Sequence, residues 1–507
     1  MNLRGLMKKE TSRRLRIIEE LYYAKDYIAS KDLRAMMKCS LPILLNDIGF
    51  LNGENLPFQI KKSDGLYSIE FEEHATLDVV YSYMLRRNLE FEIFESLFFE
   101  EHTGIQPAAK ELNCSFSNMQ RYLIAIRERV VKWGISVLNR PLHIEGDELV
   151  IRGFYYKFFK EARVPFTNYK FSRRLVSAVD QLIRQILTEN NVTNNMNIHF
   201  QLMHSFLIAL RRLDNGYTLE GLPVDSGLLI PTIEQLPRLV RFIRQESTID
   251  FTEKELRECL WPLFSHQLIL NHSQQSIAHK KNKQLASFYE THHFLLESIN
   301  DLLASPLSQA EMVETMRLLG NELFCYFPDK RSIEILQEPN RMLLNLVDKK
   351  YSRELSKLRR VVSDFLIPQR KEAFIPIYIC CLITIVDNIF QRLAELDKPI
   401  KVLLLSDAST SHERFWQSIL PAHINGTVNY DYFETPFILQ EQLTKLTKAY
   451  DLIVTNVTMT DLESACPLIA INAYPTAKDI KRIQEFINEF DPLPSRKELY
   501  NELTPST

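Results

Sequence analysis

A chain of 507 residues with 61 Lys and Arg against 64 Asp and Glu is too long for one hydrophobic core. Its formal net charge of −3 excludes nucleic-acid binding through a bulk field, so any such binding has to come from local basic surface. Hydrophobic residues at 45% and charged residues at 25% are ordinary for a globular protein, and only 13 glycines weigh against a phosphate-loop enzyme and for long helices.

Thr11 to Ala24 opens as a helix with Leu15, Ile17, Ile18 and Leu21 inward. Ser30 then caps K-D-L-R-A-M-M-K, Cys39 makes a turn, and Ser40 caps L-P-I-L-L-N-D-I-G-F-L. Phe58 to Phe71 reads as strand, K-S-D-G turn, strand. Together these predict a winged helix-turn-helix over residues 1–72. Residues 1–70 hold 12 Lys and Arg against 9 Asp and Glu, the sign that phosphate contacts need. Leu77 to Glu101 follows as helix, without Pro or Gly.

The pattern then repeats over residues 73–153. Gln106 to Leu112 is a short helix, Asn113-Cys114 a tight turn, and Ser115 caps a helix whose Met119, Leu123, Ile126 and Val130 form one stripe. Leu142 to Ile151 alternates through L-H-I-E-G-D-E-L-V-I, which predicts a hairpin turning at Gly146-Asp147. The second helix of such a unit lies in a DNA major groove. An ordinary helical hairpin is the alternative, and the repetition weighs against it.

The outer face of this second helix carries Ser117, Gln120, Arg121 and Arg127. Gln and Arg make bidentate contacts with adenine and guanine, whereas, aligned from the capping serines, the first unit holds Leu41, Pro42, Leu45 and Asn46 where the second holds Phe116, Ser117, Gln120 and Arg121. The second unit is therefore expected to supply the sequence readout. The first is expected to anchor the duplex through Lys31, Arg34, Lys38, Lys61 and Lys62 with Asn46, although any one of these charges alone reads as solvated surface.

From Tyr155 to about Leu396 the periodicity is helical almost throughout. It divides into sets at residues 154–280 and 281–396, each the size of a compact bundle. One large helical domain is the alternative. Residues 397–507 change texture: Ile400 to Leu405 is a continuous apolar run, and strands at Thr427–Phe433, Asp451–Val457 and Pro467–Asn472 alternate with helices at His412–Leu420, Gln440–Lys448 and Ala477–Phe490, a small α/β sheet. With 9 Lys and Arg against 14 Asp and Glu over residues 401–507, this end is no nucleic-acid binder.

The seven cysteines are scattered, odd in number and without C-x-x-C spacing, so neither a disulfide framework nor a metal site is expected. No cofactor or catalytic motif occurs, no apolar run is long enough to span a bilayer, and M-N-L-R-G-L-M-K-K-E has no leader-like core. The expectation is a cytoplasmic protein that is not an enzyme and has no cofactor. Among the histidines, His199, His204, His266 and His272 lie on helices of the first set, and His204 has Arg211 and Arg212 two turns along, where guanidinium could meet a phosphate on the imidazole. A half-buried histidine at a helix contact is the equally good reading of each.

The order of parts, with S-K-D-L-R-A-M-M-K-C-S-L-P-I-L-L-N-D-I and Q-P-A-A-K-E-L-N-C-S-F-S-N-M-Q-R-Y-L as the two helix-turn-helix segments and K-V-L-L-L-S and Y-D-L-I-V-T-N-V in the last domain, resembles the Mga/AtxA family of Gram-positive transcription regulators. The resemblance covers essentially the whole chain. It implies that the helical sets are phosphotransferase-system (PTS) regulation domains, with His204 and His266, and His199 as close rival, as phosphate acceptors. It implies that the last domain is similar to the EIIB component of that system and serves self-association, in a homodimer or higher oligomer. EIIB enzymes carry a cysteine after the first strand; Ser406 stands there, which fits a fold that has lost phosphotransfer. The implied function is a duplex-DNA-binding regulator, an activator of virulence or carbohydrate-linked genes, tuned by phosphocarrier proteins of the sugar phosphotransferase system. An RNA-binding antiterminator is the alternative, since such regulation domains occur there too. A phosphotransferase enzyme component is a third reading, and Ser406 argues against it.

Overall fold

A computed structural model describes residues 2–24, 27–192, 196–323, 333–394, 399–409, 411–424, 426–432, 447–457 and 466–490. It divides into two compact units, Met1–Phe288 with Leu323–Glu338, and Tyr289–Glu322 with Pro339–Thr507.

The first unit begins with three helices, α1 (Lys9–Tyr23), α2 (Ser30–Met37) and α3 (Leu41–Gly53). The strands β2 (Phe58–Ser63) and β3 (Leu66–Phe71) form an antiparallel hairpin, with the short β1 (Ile28–Ala29) on the other edge of β3. Asp64 and Gly65 at its turn have φ of 51° and 79°, the left-handed pair that a two-residue hairpin loop requires. Leu15, Ile17, Ile18 and Leu21 of α1 are buried, as their spacing predicts. Ser30 is the first residue of α2, and Ser40 precedes α3 without a side-chain cap bond, so neither serine caps as expected. The backbone N–H of Ser30 instead donates to Gly65 O at 2.8 Å, tying α2 to the hairpin. Asp47 of α3 is fully buried and tolerable only because Arg13 Nε (2.5 Å) and Arg14 Nε (2.8 Å) both donate to it.

The second repeat comprises α4 (Asp78–Arg87), α5 (Leu89–Phe99), α6 (Ile105–Glu111), α7 (Phe116–Val130), β4 (Ser136–Asn139), β5 (Leu142–Glu145) and α8 (Glu148–Glu161). The hairpin is not where the alternation places it. β4 pairs with β5 from Ser136↔Glu145 to Asn139↔Leu142, so the turn is Arg140-Pro141. Gly146-Asp147 instead starts α8, because the Asp147 carboxylate accepts from Leu149 N (2.9 Å) and caps a helix. The expected boundary at 153/154 therefore falls inside one continuous helix.

α8 contributes four rings to the unit's aromatic core. Phe154, Tyr155, Phe158 and Phe159 pack on Phe94 and Phe98 of α5, with ring centroids 4.6 Å apart for Phe98–Tyr155 and 5.0 Å for Phe98–Phe159. On its other side α8 meets α10 (Met196–Asp214), which follows α9 (Arg173–Glu189) and precedes α11 (Pro237–Glu246), α12 (Glu253–Cys259), α13 (Trp261–Phe264) and α14 (His272–Lys281). The joint is ionic. Glu148 accepts from Arg152 Nε (2.9 Å) and from Arg212 Nη2 (2.7 Å) and Nε (3.1 Å); Arg212 Nη1 reaches Glu100 (3.1 Å), and Arg152 Nη2 reaches Glu258 of α12 (3.2 Å). Arg152 and Arg212 have no exposed surface.

A segment from far along the sequence completes this unit. Ile335 and Leu336 are buried in its core, Leu336 N and Gln337 N donate to Glu161 at 2.7 and 2.9 Å, and Leu3 N donates to Ile335 O at 2.8 Å.

The second unit takes in most of α15 (Lys283–Asn300, from Tyr289 onward), then α16 (Gln309–Leu323, to Glu322), α17 (Pro339–Leu366), α18 (Ile375–Ile385) and α19 (Ile389–Ala394). Beyond them β6 (Ile400–Leu405), β7 (Val428–Tyr432), β8 (Leu452–Thr455) and β9 (Leu468–Ala470) form a parallel sheet in the order β7-β6-β8-β9. α20 (His412–His423) and the helix Ala477–Glu489 supply Trp416, Leu420, Ile483 and Ile487 to its core. Most of the helix expected at Gln440–Lys448 and the boundary at 396/397 lie outside the described residues.

Removing Glu148 would leave two buried guanidinium groups without their shared carboxylate. Glu148→Ala is expected to cost roughly 3–5 kcal/mol in chemical denaturation, against under about 1 kcal/mol for an exposed pair such as Lys61–Glu70.

Candidate nucleic-acid interface

α7 is held by its buried stripe and presents a polar face. Met119, Leu123, Ile126 and Val130 are fully buried, Asn113 takes a left-handed φ of 50° in the turn from α6, and Ser115 Oγ accepts from Asn118 N at 3.2 Å. Ser117, Gln120 and Arg121 are exposed and make no hydrogen bond or ion pair among the described residues. Arg121 only leans on the Tyr122 ring, 5.5 Å from its centroid. Three donor-bearing side chains on one rigid face, none of them engaged, can meet base edges without breaking an existing bond.

Arg127, expected on the same outer face, is not free. Its Nε donates to Val137 O at 2.9 Å and its Nη2 to Asn139, so it clasps β4 to α7 and positions the hairpin. Arg129 lies against Gly5, where a Cβ would fall 2.0 Å from Nη2; this packs the residues before α1 onto α7.

The first unit offers a different surface. Leu41, Ile43 and Leu45 of α3 are 38%, 42% and 44% exposed, with Asn46 beside them, and Phe50 lies under the Arg14 guanidinium at 3.7 Å. Lys31 and Lys38 are exposed. Lys61 pairs with Glu70 at 2.5 Å across the hairpin, Lys62 stands 5.8 Å from the Tyr67 ring, and Arg34 is half-buried with its Nε lacking a partner. Of these, Lys31, Lys38 and Lys62 remain available to phosphates.

The histidines separate by burial. His204 is enclosed by Tyr169, Phe166 and Tyr156, with Nδ1 2.7 Å from the Tyr169 hydroxyl. Burial, assisted by the Lys160 charge, pulls its pKa down to about 4. Arg211 lies on its face and donates to Tyr169 O (3.0 Å), but Arg212 points into the buried ionic joint and is no partner for a phosphate there. A step of seven residues returns to the same helix face and a step of eight turns away from it. His266 is 1% exposed, and its Nε2 is buried without a partner; burial first, then Lys281, lowers its pKa. Of the three acceptor candidates His199 is the least buried: its side chain is 13% exposed, and Nε2 is held by Asp180 at 2.8 Å, which also accepts from Arg184. His272 bonds Gln275 through Nδ1 (3.1 Å).

Ser406 follows β6, its Oγ 2.6 Å from His412 Nδ1 and its N–H donating to Glu413 at 3.0 Å. The Glu413 carboxylate occupies the donor that an anion at this loop would use. No cluster of metal-ligating side chains occurs among the described residues, and none of their helices is long and apolar enough to cross a membrane.

Residues 73–159, which take in α4 and most of α8, match the Mga helix-turn-helix domain. Along most of its length the chain is similar to regulators of the Mga/AtxA type. It is 21% identical to the capsule synthesis positive regulator AcpB of Bacillus anthracis over 95% of this chain and 99% of AcpB. It is 20% identical to a candidate trans-acting regulator of Streptococcus pneumoniae serotype 4 over 91% of this chain and 94% of that protein. A 172-residue stretch, 32% of this chain, is 26% identical to the capsule synthesis positive regulator AcpA of Bacillus anthracis, covering 35% of that protein. The matched domain includes most of α8 and so extends beyond the expected boundary at residue 153, in keeping with the structure.

The enclosed His204 has a consequence for acid stability. Unfolded, it titrates near 6.5; folded, only near 4, so the unfolded state binds the extra proton between those values. The stability it protects is complete above pH 6.5 and is lost as pH falls toward 4. Between pH 7 and 4.5, denaturation of the wild type should lose roughly 2–3 kcal/mol more than that of His204→Gln.

Proposed function

We propose that this protein is a DNA-binding transcription regulator, an activator, that reads duplex DNA through α7. The supporting observation is the unengaged set Ser117, Gln120 and Arg121 on the capped, firmly packed helix of the segment that matches the Mga helix-turn-helix domain. Homologues described as positive regulators favour activation. α3, with Leu41 and Leu45 outward, anchors rather than reads, through Lys31, Lys38 and Lys62. An RNA antiterminator is not favoured, because a helix presented beside a hairpin suits a duplex groove.

In this reading the helical sets are PTS regulation domains, and phosphocarrier proteins of the sugar phosphotransferase system adjust the activity, tying it to carbohydrate-linked or virulence genes. Among these three candidates, the lesser burial of His199 moves the first choice from His204 and His266 to His199. A phosphoryl group there brings about two negative charges beside Asp180 and Arg184, at the contact of α9 with α10. The C-terminal parallel sheet is an EIIB-like domain used for self-association in the cytoplasm. Ser406 bonded to His412, with Glu413 at the loop, suits a domain without phosphotransfer.

Gln120→Ala/Arg121→Ala is expected to weaken specific over non-specific duplex binding by about 2–6 kcal/mol in gel shifts, with unchanged thermal melting. Unaltered discrimination removes α7 from the reader role. Incubated with phosphoenolpyruvate and the general phosphotransferase proteins, the wild type should acquire acid-labile phosphate that His199→Ala lacks and His266→Ala keeps. Equal labelling of all three contradicts the assignment.

A further inference from the structure

We propose that the outer faces of α9 and α11 form a second duplex contact, an arginine ridge that grips phosphates next to the site read by α7. The inference rests on the DNA-binding reading above and extends it to a surface outside the helix-turn-helix. α9 buries Leu175, Val179, Leu182, Ile183, Ile186 and Leu187, and α11 buries Leu239, Val240 and Ile243. The two helices pack together, and Ser172 at the start of α9 bonds Glu246 at the end of α11 through its N–H (2.7 Å) and Oγ (2.5 Å). What remains outward is Arg173, Arg174 and Arg184 on α9 and Arg238, Arg241 and Arg244 on α11, all exposed, with Ser177, Gln181, Gln185 and Gln245 between them.

The acidic groups nearby are mostly committed. Glu246 is spent on Ser172, and Asp180 on His199 and Arg184. Asp250 meets Arg244 only at 3.8 Å, with both side chains largely exposed. Arg173, Arg174 and Arg238 have no hydrogen bond or ion pair among the described residues. A face kept only for solubility carries both signs, laced by pairs four residues apart; none of Arg173, Arg174, Arg241 and Arg244 has an acidic residue four positions away in either direction.

The occupant is a polyanion rather than a protein. Protein interfaces centre on apolar or aromatic anchors, and no large hydrophobic residue of α9 or α11 is exposed, in contrast to Leu41, Ile43 and Leu45 on α3. Arg, Gln and Ser are the side chains that donate to phosphate oxygens. Position favours the duplex already bound by α7. Lys170, three residues before Arg173, is ion-paired with Glu101, four residues before α6 begins, so the ridge starts within about one duplex turn (~34 Å) of the helix-turn-helix. At ~1.5 Å per residue α9 extends about 25 Å, the length of roughly seven phosphates along one strand.

The test is the salt dependence of duplex binding by the full chain, read by fluorescence anisotropy on a mixed-sequence duplex of about 40 base pairs between about 50 and 200 mM salt. Each phosphate contact contributes about 0.9 to the slope of log K against log salt. Arg238→Gln/Arg241→Gln/Arg244→Gln should therefore lower the slope by about 2–3 and the affinity at low salt at least about tenfold, with an unchanged circular-dichroism melt. Arg173→Gln/Arg174→Gln, on the other helix, should lower the slope by about 1–2 and repeats the test if the first variant does not fold. Unchanged slope and affinity in a folded variant overturn the ridge alone. A wild-type chain that binds no duplex overturns the proposed function and the ridge with it.

Discussion

The structure turns on two arginines that have no exposed surface, Arg152 on α8 and Arg212 on α10. Desolvating a guanidinium costs several kcal/mol, so each needs well-placed carboxylates. Glu148 serves both, with Glu100 and Glu258 completing the set. These five groups come from the last helix of the second repeat, from the end of α5, and from two helices of the first helical set. None can shift without stranding another. The helix-turn-helix region and the first helical set therefore belong to one packed unit, joined through α8.

That joint gives the proposed regulation a physical basis. α10 carries His199 near its start, His204 in the middle and Arg212 near its end. A charge placed at His199 acts on the α9–α10 contact, and α10 is the same helix whose Arg212 holds Glu148 of α8. The hairpin before α8 is clasped to α7 by Arg127, so a chain of contacts runs from His199 to α7 through packed elements. The segment 333–338 adds a second tether: it binds Glu161 at the end of α8 and also Leu3, whose neighbour Gly5 packs on Arg129 of α7.

Much of this was legible in the sequence because it depends on local periodicity. The stripe Met119, Leu123, Ile126, Val130 and the cap Ser115 place α7 within a residue or two, and the apolar run Ile400–Leu405 is β6 as read. The hairpin was displaced because L-H-I-E-G-D-E-L-V-I alternates through what is half strand and half helix, and only the Asp147 side-chain bond reveals the helix start. Arg127 and Arg212 look like surface arginines in sequence. Their partners are Asn139 and the backbone of Val137, 12 and 10 residues on, in one case and Glu148 and Glu100, 64 and 112 residues back, in the other, and such pairings leave no helical pattern in the sequence. The insertion of 333–338 into the first unit is invisible for the same reason. The burial of the histidines was not legible either, since periodicity places His199 and His204 on one helix but not which of them is the more enclosed.

Through the Arg152–Glu148–Arg212 joint the helix-turn-helix segment and the first helical set form one cooperative unit. Native-state hydrogen exchange tests it most directly, by following amides of α7 and α8 beside those of α10 and α12 through increasing denaturant. Their slowest amides are expected to converge on one opening free energy and all to drop together in Glu258→Gln. Separate opening of α10 and α12, with α7 and α8 still protected, would contradict it.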